Sequence, residues 1–348
     1  MNEEWLIYRN NNTRPERGTA WSVPAPPWRQ FASLPDPAGD VRFVPPDPPD
    51  FPGDFYYLAS EETRNTVNLA LRLRRPILVT GAPGTGKTSL AYSIAFELGL
   101  GPVLEWLITS RSTVRQGLYE YDVLARVNDM NLADKAALDE ADHGYAEWIK
   151  DAARRIGQYI TLGPLGDALL PRSRPRVLLI DEIDKCDVDL PGDLLHVFER
   201  GSYEIPELAR ERDDDIEVRC ADGESAVHVH RGRVSCHEFP VIVLTSNEER
   251  EFPAAFRRRC LHIALRPPSP ENLLTIATKK LGQAPDHAGE TLIGSFAGLG
   301  EQGRGRDGRR RATDQLLNAL YLRMSGQGLS DADFHELSKI VLAPLSES

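Results

Sequence analysis

Residues 77–88 read Ile-Leu-Val-Thr-Gly-Ala-Pro-Gly-Thr-Gly-Lys-Thr, an apolar strand that runs into a glycine-rich turn and then into a helix. No other stretch limits the possible folds as much. A strand of β-branched and aliphatic residues needs burial on both faces, and a helix directly behind it points to a parallel sheet covered by helices. The turn meets the pattern G-x-x-x-x-G-K-[ST] with Gly81, Gly86, Lys87 and Thr88. Glycines let the backbone close around an anion so that successive N–H groups point inward, and the following helix adds the positive end of its dipole. Lys87 is placed for the β- and γ-phosphates of a nucleoside triphosphate, and the Thr88 hydroxyl for Mg²⁺. The loop Gly81, Ala82, Pro83, Gly84, Thr85, Gly86, Lys87 and Thr88, with Ser89 behind it, is the expected nucleotide contact.

Charge and cysteine usage narrow the partners. With 41 basic and 52 acidic residues the chain carries a net charge of −11, which opposes sequence-independent binding to nucleic acid. Cys186, Cys220, Cys236 and Cys260 show no paired framework, and neither a signal peptide nor a long apolar run occurs. A reducing cytoplasm without membrane attachment is the expected setting. Cys220, His228, His230, Cys236 and His237 lack metal-ligand spacing, and alternation over 227–234 predicts a hairpin there instead.

The chain divides into three materials. Residues 1–53 hold eleven of its 26 prolines and no apolar period, which predicts polyproline II or disorder and no contribution to a core. An alternative use of this segment is a docking strip carrying Trp5, Trp21, Trp28 and Phe31. Residues 54–266 alternate strands and helices: helix 61–73, strand 76–80, helix 87–98, strand 103–108, mostly helix over 114–156, and buried strands at 177–180 and 241–245. Residues 267–348 turn helical after Pro267-Pro268, with helices expected at 270–281, 288–297, 312–324 and 331–342. The expected fold is thus a P-loop αβα sandwich with a parallel sheet, followed by a small all-helical lid.

Four further features complete the expected site. Val-Leu-Leu-Ile-Asp-Glu at 177–182 is a buried strand ending in two acids, and ligands bind at the carboxyl edge of such sheets. Asp181 is assigned to Mg²⁺ and Glu182 to the attacking water. The strand Val-Ile-Val-Leu-Thr-Ser-Asn, 241–247, ends in Asn247, a candidate for the γ-phosphate or that water. Arg257-Arg258-Arg259 follows closely; such a run is either ordinary solvated surface or a group at a subunit edge that acts on a neighbour's phosphate, with Arg258 and Arg259 the candidates for the second. Arg309-Arg310-Arg311 opens a helix, where cations oppose the dipole, so an anion is expected nearby.

These motifs in this order resemble the AAA+ ATPases over roughly residues 58–345, and within them the MoxR branch. Gly81–Thr88 is similar to Walker A, Leu179–Lys185 to Walker B and Thr245-Ser246-Asn247 to sensor 1. Phe252–Cys260 is similar to the arginine-finger segment, and Arg311 stands where the sensor 2 arginine falls. Gly163-Pro164-Leu165 and the run Asp189…Glu199 resemble the MoxR branch; 111–162 and 204–237 then correspond to its helix-2 insertion and pre-sensor hairpin. The branch has an acidic residue before its finger arginine, where this chain has Arg258. The resemblance implies ATP and Mg²⁺ as ligands, a homo-oligomeric ring of six subunits with sites between them, and hydrolysis that remodels a partner protein. A partner bearing a von Willebrand factor A domain is implied by the same branch. Alternatives are a nucleotide-gated scaffold in a bacterial conflict or signalling system, in which turnover is incidental, and a DNA-directed AAA+ motor. Leu118, Tyr119 and Tyr121 are expected on an ordinary helix face rather than in a pore.

Overall fold

The computed structural model describes residues 5–16, 21–31, 55–136, 155–297 and 313–325. Its centre is a five-stranded parallel sheet built from β1 (Ile77–Thr80), β2 (Leu104–Leu107), β5 (Val177–Asp181), β10 (Val241–Ser246) and β11 (Leu261–Ala264), in the order β11-β1-β10-β5-β2. Successive side chains of a strand point to opposite faces, and the core divides accordingly. Leu78, Leu178, Ile180, Ile242 and Leu244 enter one apolar cluster, with Leu165, Leu194 and Phe198. Ile77, Val79, Val177, Leu179 and Val243 enter the other, with Val67, Leu71, Leu90 and Ile94 from the helices Glu61–Leu73 and Lys87–Leu98. Because the strands are parallel, Thr80, Asp181 and Ser246 end at one edge of the sheet.

A second sheet lies in the segments anticipated as insertions. It comprises β3 (Tyr119–Tyr121), β4 (Ile160–Leu162), β6 (Ser202–Glu204), β7 (Asp215–Arg219), β8 (Ala226–His230) and β9 (Arg233–Ser235), ordered β3-β4-β7-β8-β9-β6. The hairpin expected over 227–234 is β8–β9, and β7–β8 is a longer antiparallel pair. The helical reading of 114–156 holds for Val114–Leu118 and Val123–Ala136, and 137–154 lie outside the described residues. Tyr119 and Tyr121 stand instead on β3, because the Thr113–Gln116 capping box starts a helix that stops at Leu118 and backbone pairing with β4 takes over. Tyr119 is buried and donates its hydroxyl to Glu207. The chain passes so close at Gly166 that a Cβ there would lie 1.9 Å from the Leu118 carbonyl oxygen, so only glycine fits.

The expectation that residues 1–53 stay out of the core needs correction for 5–16 and 21–31. Tyr8 is fully buried and its hydroxyl shares a 2.7 Å hydrogen bond with Ser93. Asn68, also fully buried, accepts the Ile7 and Tyr8 N–H groups and donates to the Tyr8 and Arg64 carbonyls. Arg74 pairs with Glu238 at 2.7 Å and donates to the Val23 carbonyl. Phe31 stacks on Phe239, and Arg29 donates to the Phe198 carbonyl. Side-chain hydrogen bonds to partners distant in sequence hold this segment, and proline density is blind to such partners. The densest proline run, 35–52, lies outside the described residues.

The helices Pro270–Leu281, His287–Ala297 and Thr313–Met324 match the expected spans within two residues and share a small apolar cluster of Leu273, Ala277, Ile293, Leu316 and Leu320. The helix expected at 331–342 lies outside the described residues.

Candidate functional site

The site begins where β1 ends. Gly81 has φ +150° and Gly86, which caps the helix Lys87–Leu98, has φ +89°. A Cβ at Gly81 would lie 2.6 Å from the Leu265 carbonyl oxygen, so the turn depends on glycine for both its dihedral and its space. Lys87, 8% exposed, donates to the Gly81 carbonyl at 2.9 Å, the Ala82 carbonyl at 3.1 Å and Asn247 Oδ1 at 2.8 Å. The structure therefore joins Asn247, just past the end of β10, to the lysine that opens the helix behind the phosphate loop, 160 positions away.

Asp181 ends β5 beside them. The Thr88 hydroxyl donates to its Oδ1 at 3.3 Å, and the Thr245 hydroxyl donates to the same oxygen. Glu182 has a left-handed backbone, φ +57°, which turns the chain sharply at the sheet edge, and its N–H donates to Thr245 at 2.9 Å. The Glu182 carboxylate accepts a 2.7 Å bond from Lys185, and that bond holds the Lys185 ammonium above its ordinary pKa. Asp184, only 5% exposed, has no role in the sequence reading. Its Oδ2 accepts the N–H groups of Asn247 at 2.8 Å and Glu249 at 3.3 Å. It ties the β5 turn to the end of β10. A carboxylate at that spacing behind Asp181 was the only available signal, and the motif alone does not show which backbone it grips.

Next to the loop opens a cleft of about 730 Å³. Tyr57, Gly84–Ser89, Leu265, Asn272, Lys280 and Asp314 are among its lining, so the phosphate loop, the segment before the helix Glu61–Leu73 and the helices Pro270–Leu281 and Thr313–Met324 all face it. Tyr57 is nearly buried, and burial raises its phenol pKa. Sequence reasoning missed Tyr57 because a lone aromatic ahead of a helix carries no motif.

The model of the ATPase family associated with various cellular activities (AAA) matches residues 77–267. The chain belongs to the AAA family. Within this AAA chain the matched span holds Lys87, Thr88, Asp181, Glu182, Asn247 and the arginine run. A search among curated proteins finds no match. Among solved structures the chain is similar to the FIGL-1 AAA domain in complex with ADP, at 15% identity and a TM-score of 0.37, covering 83% of this chain and 84% of that one.

The arginines divide. Arg257 and Arg258 are exposed on the short helix Ala254–Arg259. Arg259 donates through Nε to Glu199 and through a terminal nitrogen to the Ala255 carbonyl, both within its own chain. Arg311 lies outside the described residues, two positions before the helix Thr313–Met324, whose Thr313, Asp314 and Leu317 line the cleft.

Proposed function

We propose that this AAA protein binds ATP with Mg²⁺ and hydrolyses it to remodel a partner protein, as a ring of identical subunits. The observation that carries the reading is the convergence at one sheet edge of Lys87, Asn247, Thr88 and Asp181, joined by hydrogen bonds of 2.8 and 3.3 Å. An ammonium, a hydroxyl, a carboxylate and an amide together are what a triphosphate and a hard cation require.

The oxygen set of Thr88 and Asp181 suits Mg²⁺ and would hold it, and the ion would neutralise charge on the phosphates. Lys87 meets the phosphates as a point charge, and Asn247 orients the water or the terminal phosphate. Glu182 accepts the proton of the attacking water once Lys185 yields its carboxylate. Asp184 fixes the Asn247 backbone so that this amide keeps its aim. The nucleobase and ribose fit the cleft beside Tyr57. The helices after Pro268 act as its lid.

The MoxR-like branch is supported by the β7–β8 pair standing before the β10 strand and by the insertion that carries β3 and β4. Assembly into a six-membered ring is proposed from the exposed Arg258, which faces outward and is free to meet a neighbour's phosphate. A client or adaptor with a von Willebrand factor A domain belongs to the same reading, as does a cytoplasmic setting. The Glu182–Lys185 pair favours one second reading, a nucleotide-gated scaffold in which the base stays engaged and turnover is incidental.

Steady-state phosphate release across protein concentration separates the two. A motor raises its specific activity as subunits assemble, and Arg258→Ala binds ATP normally while losing turnover by as much as roughly 10³–10⁵-fold. Mixing Arg258→Ala with Lys87→Ala, which still carries the arginines, restores part of the activity. Flat activity per subunit with intact ATP-dependent assembly supports the scaffold.

A further inference from the structure

The segment 8–12 is bound to the wall of the cleft through side chains in an unusual arrangement. Asn10 donates from Nδ2 to the Tyr57 carbonyl at 2.9 Å, and its Oδ1 accepts the Ala59 N–H at 2.7 Å. Asn12 Oδ1 accepts the Tyr57 N–H at 2.9 Å. Both peptide groups of Tyr57 are thus held by this segment. The Tyr57 ring lies against the phosphate loop, 3.3 Å from where a Cβ of Gly86 would be, and Tyr57, Leu58, Ala59 and Ser60 all line the cleft.

What holds the two asparagines is equally specific. Asn10 and Asn12 have φ +59° and +56°, a left-handed region that asparagine tolerates better than other residues with a side chain. That backbone turns successive N–H groups inward, forming a nest for an anion. The anion is Glu97, 7% exposed, whose carboxylate accepts the N–H groups of Arg9, Asn10 (3.0 Å) and Asn11 (3.0 Å). Glu97 sits in the last turn of the helix that begins at Lys87. An acid there opposes the helix dipole, so its place is explained by the segment it captures. One helix therefore carries the phosphate loop at its start and the anchor of the cleft wall at its end.

We infer that residues 8–12 are a positioning strap for the nucleotide: Asn10 and Asn12, anchored on Glu97, hold Tyr57–Ala59 in the place that receives the base and ribose. The inference rests on the nucleotide reading of the cleft. It assigns the strap an effect on affinity, separate from its contribution to folding. Loosening it leaves the phosphate loop, Asp181 and Glu182 unchanged, so KM rises and kcat holds.

The test compares full-length Asn10→Ala/Asn12→Ala with Arg72→Ala. Arg72 anchors the same segment farther along, donating to the Trp5 carbonyl at 2.8 Å and stacking on the Trp5 ring, without touching the cleft wall. Affinity is measured with the non-hydrolysable β,γ-imido analogue of ATP plus Mg²⁺, alongside steady-state ATP turnover and thermal unfolding. The asparagine variant is expected to bind about tenfold more weakly, the equivalent of about 1.4 kcal/mol, and to raise KM with kcat preserved. Arg72→Ala is expected to lower the unfolding temperature and keep wild-type affinity. Asn10→Asp, which keeps the acceptor for Ala59 and turns an oxygen toward the Tyr57 carbonyl, is expected to weaken affinity as well. Wild-type affinity in a folded asparagine variant overturns the strap, as does an equal affinity loss in Arg72→Ala. Lys87→Ala distinguishes the premises. If it binds the analogue as tightly as wild type, the nucleotide reading of the cleft fails; if it alone loses binding, only the strap fails.

Discussion

In the parallel sheet every residue of β1 and β10 is buried, whereas β7 and β8 bury residues in alternation and expose the rest. The first sheet is covered on both faces and contributes to both large apolar clusters. The second gives one face to a single cluster, through Val218, Val227, Val229 and Val234. Lys87, Thr88, Asp181, Glu182 and Asn247 gather at the carboxyl edge of the first. A sheet enclosed by helices can hold charged groups at one rim in fixed geometry, because its strands cannot shift without disturbing two cores. A half-exposed sheet lacks that constraint and suits elaboration of a surface.

The comparison can be broken by substitution. Glu182→Gln at the rim is expected to lower ATP turnover on the order of 10²–10⁴-fold with binding retained, measured by phosphate release and analogue titration. Wild-type turnover in that variant removes the base from the rim. Leu178→Ala, in the middle of β5 and fully buried, should cost about 2–5 kcal/mol in chemical denaturation. Val229→Ala, buried on β8, should cost less, about 1–2.5 kcal/mol, since fewer methyl groups leave a core packed from one side. Its turnover at saturating ATP should match wild type; a large loss would show that the second sheet takes part in the chemistry.

The smallest effect is expected among the C-terminal helices. Asp286 accepts the Gly289 N–H at 2.9 Å and pairs with Arg323 at 2.8 Å, and these hold its pKa below the ordinary value. A carboxylate with a depressed folded-state pKa adds stability that is present above its unfolded pKa and lost as pH falls through the folded one. Asp286 is half exposed, so solvent screening reduces the pair to under about 1 kcal/mol. Asp286→Asn should therefore unfold slightly earlier than wild type at neutral pH, and the two curves should meet below about pH 4.

Legibility from the sequence follows the same divide. Continuous apolar runs placed β1, β5 and β10, and the glycine loop and paired acids placed Lys87, Thr88, Asp181 and Glu182 on their ends, because both signals are local. The pairing of β3 with β4 and of β4 with β7 is set by contacts between short, distant segments, which a local period does not encode. Asp184 was visible as an acid yet not as the group that holds Asn247. Tyr57 and the two asparagines of the strap were not visible at all, since their value lies in partners 45 to 87 positions away.

The N-terminal part of the chain, residues 5–16 and 21–31, also bears on the order in which this chain can be completed. Its contacts reach Asn68, then Glu97, and finally, through Trp21, Glu238 some 217 positions later. During synthesis from the N-terminal side, at about 5–20 residues per second, Trp21 waits at least ten seconds or so for that carboxylate. Tyr8, whose buried surface is substantial, has a shorter wait because Asn68 and Ser93 emerge early. The partners of Trp21 and Phe31, Glu238 and Phe239, thus emerge well after those of Tyr8. A nascent chain can carry a finished phosphate loop while the ties of Trp21 to Glu238 and of Phe31 to Phe239 are still open.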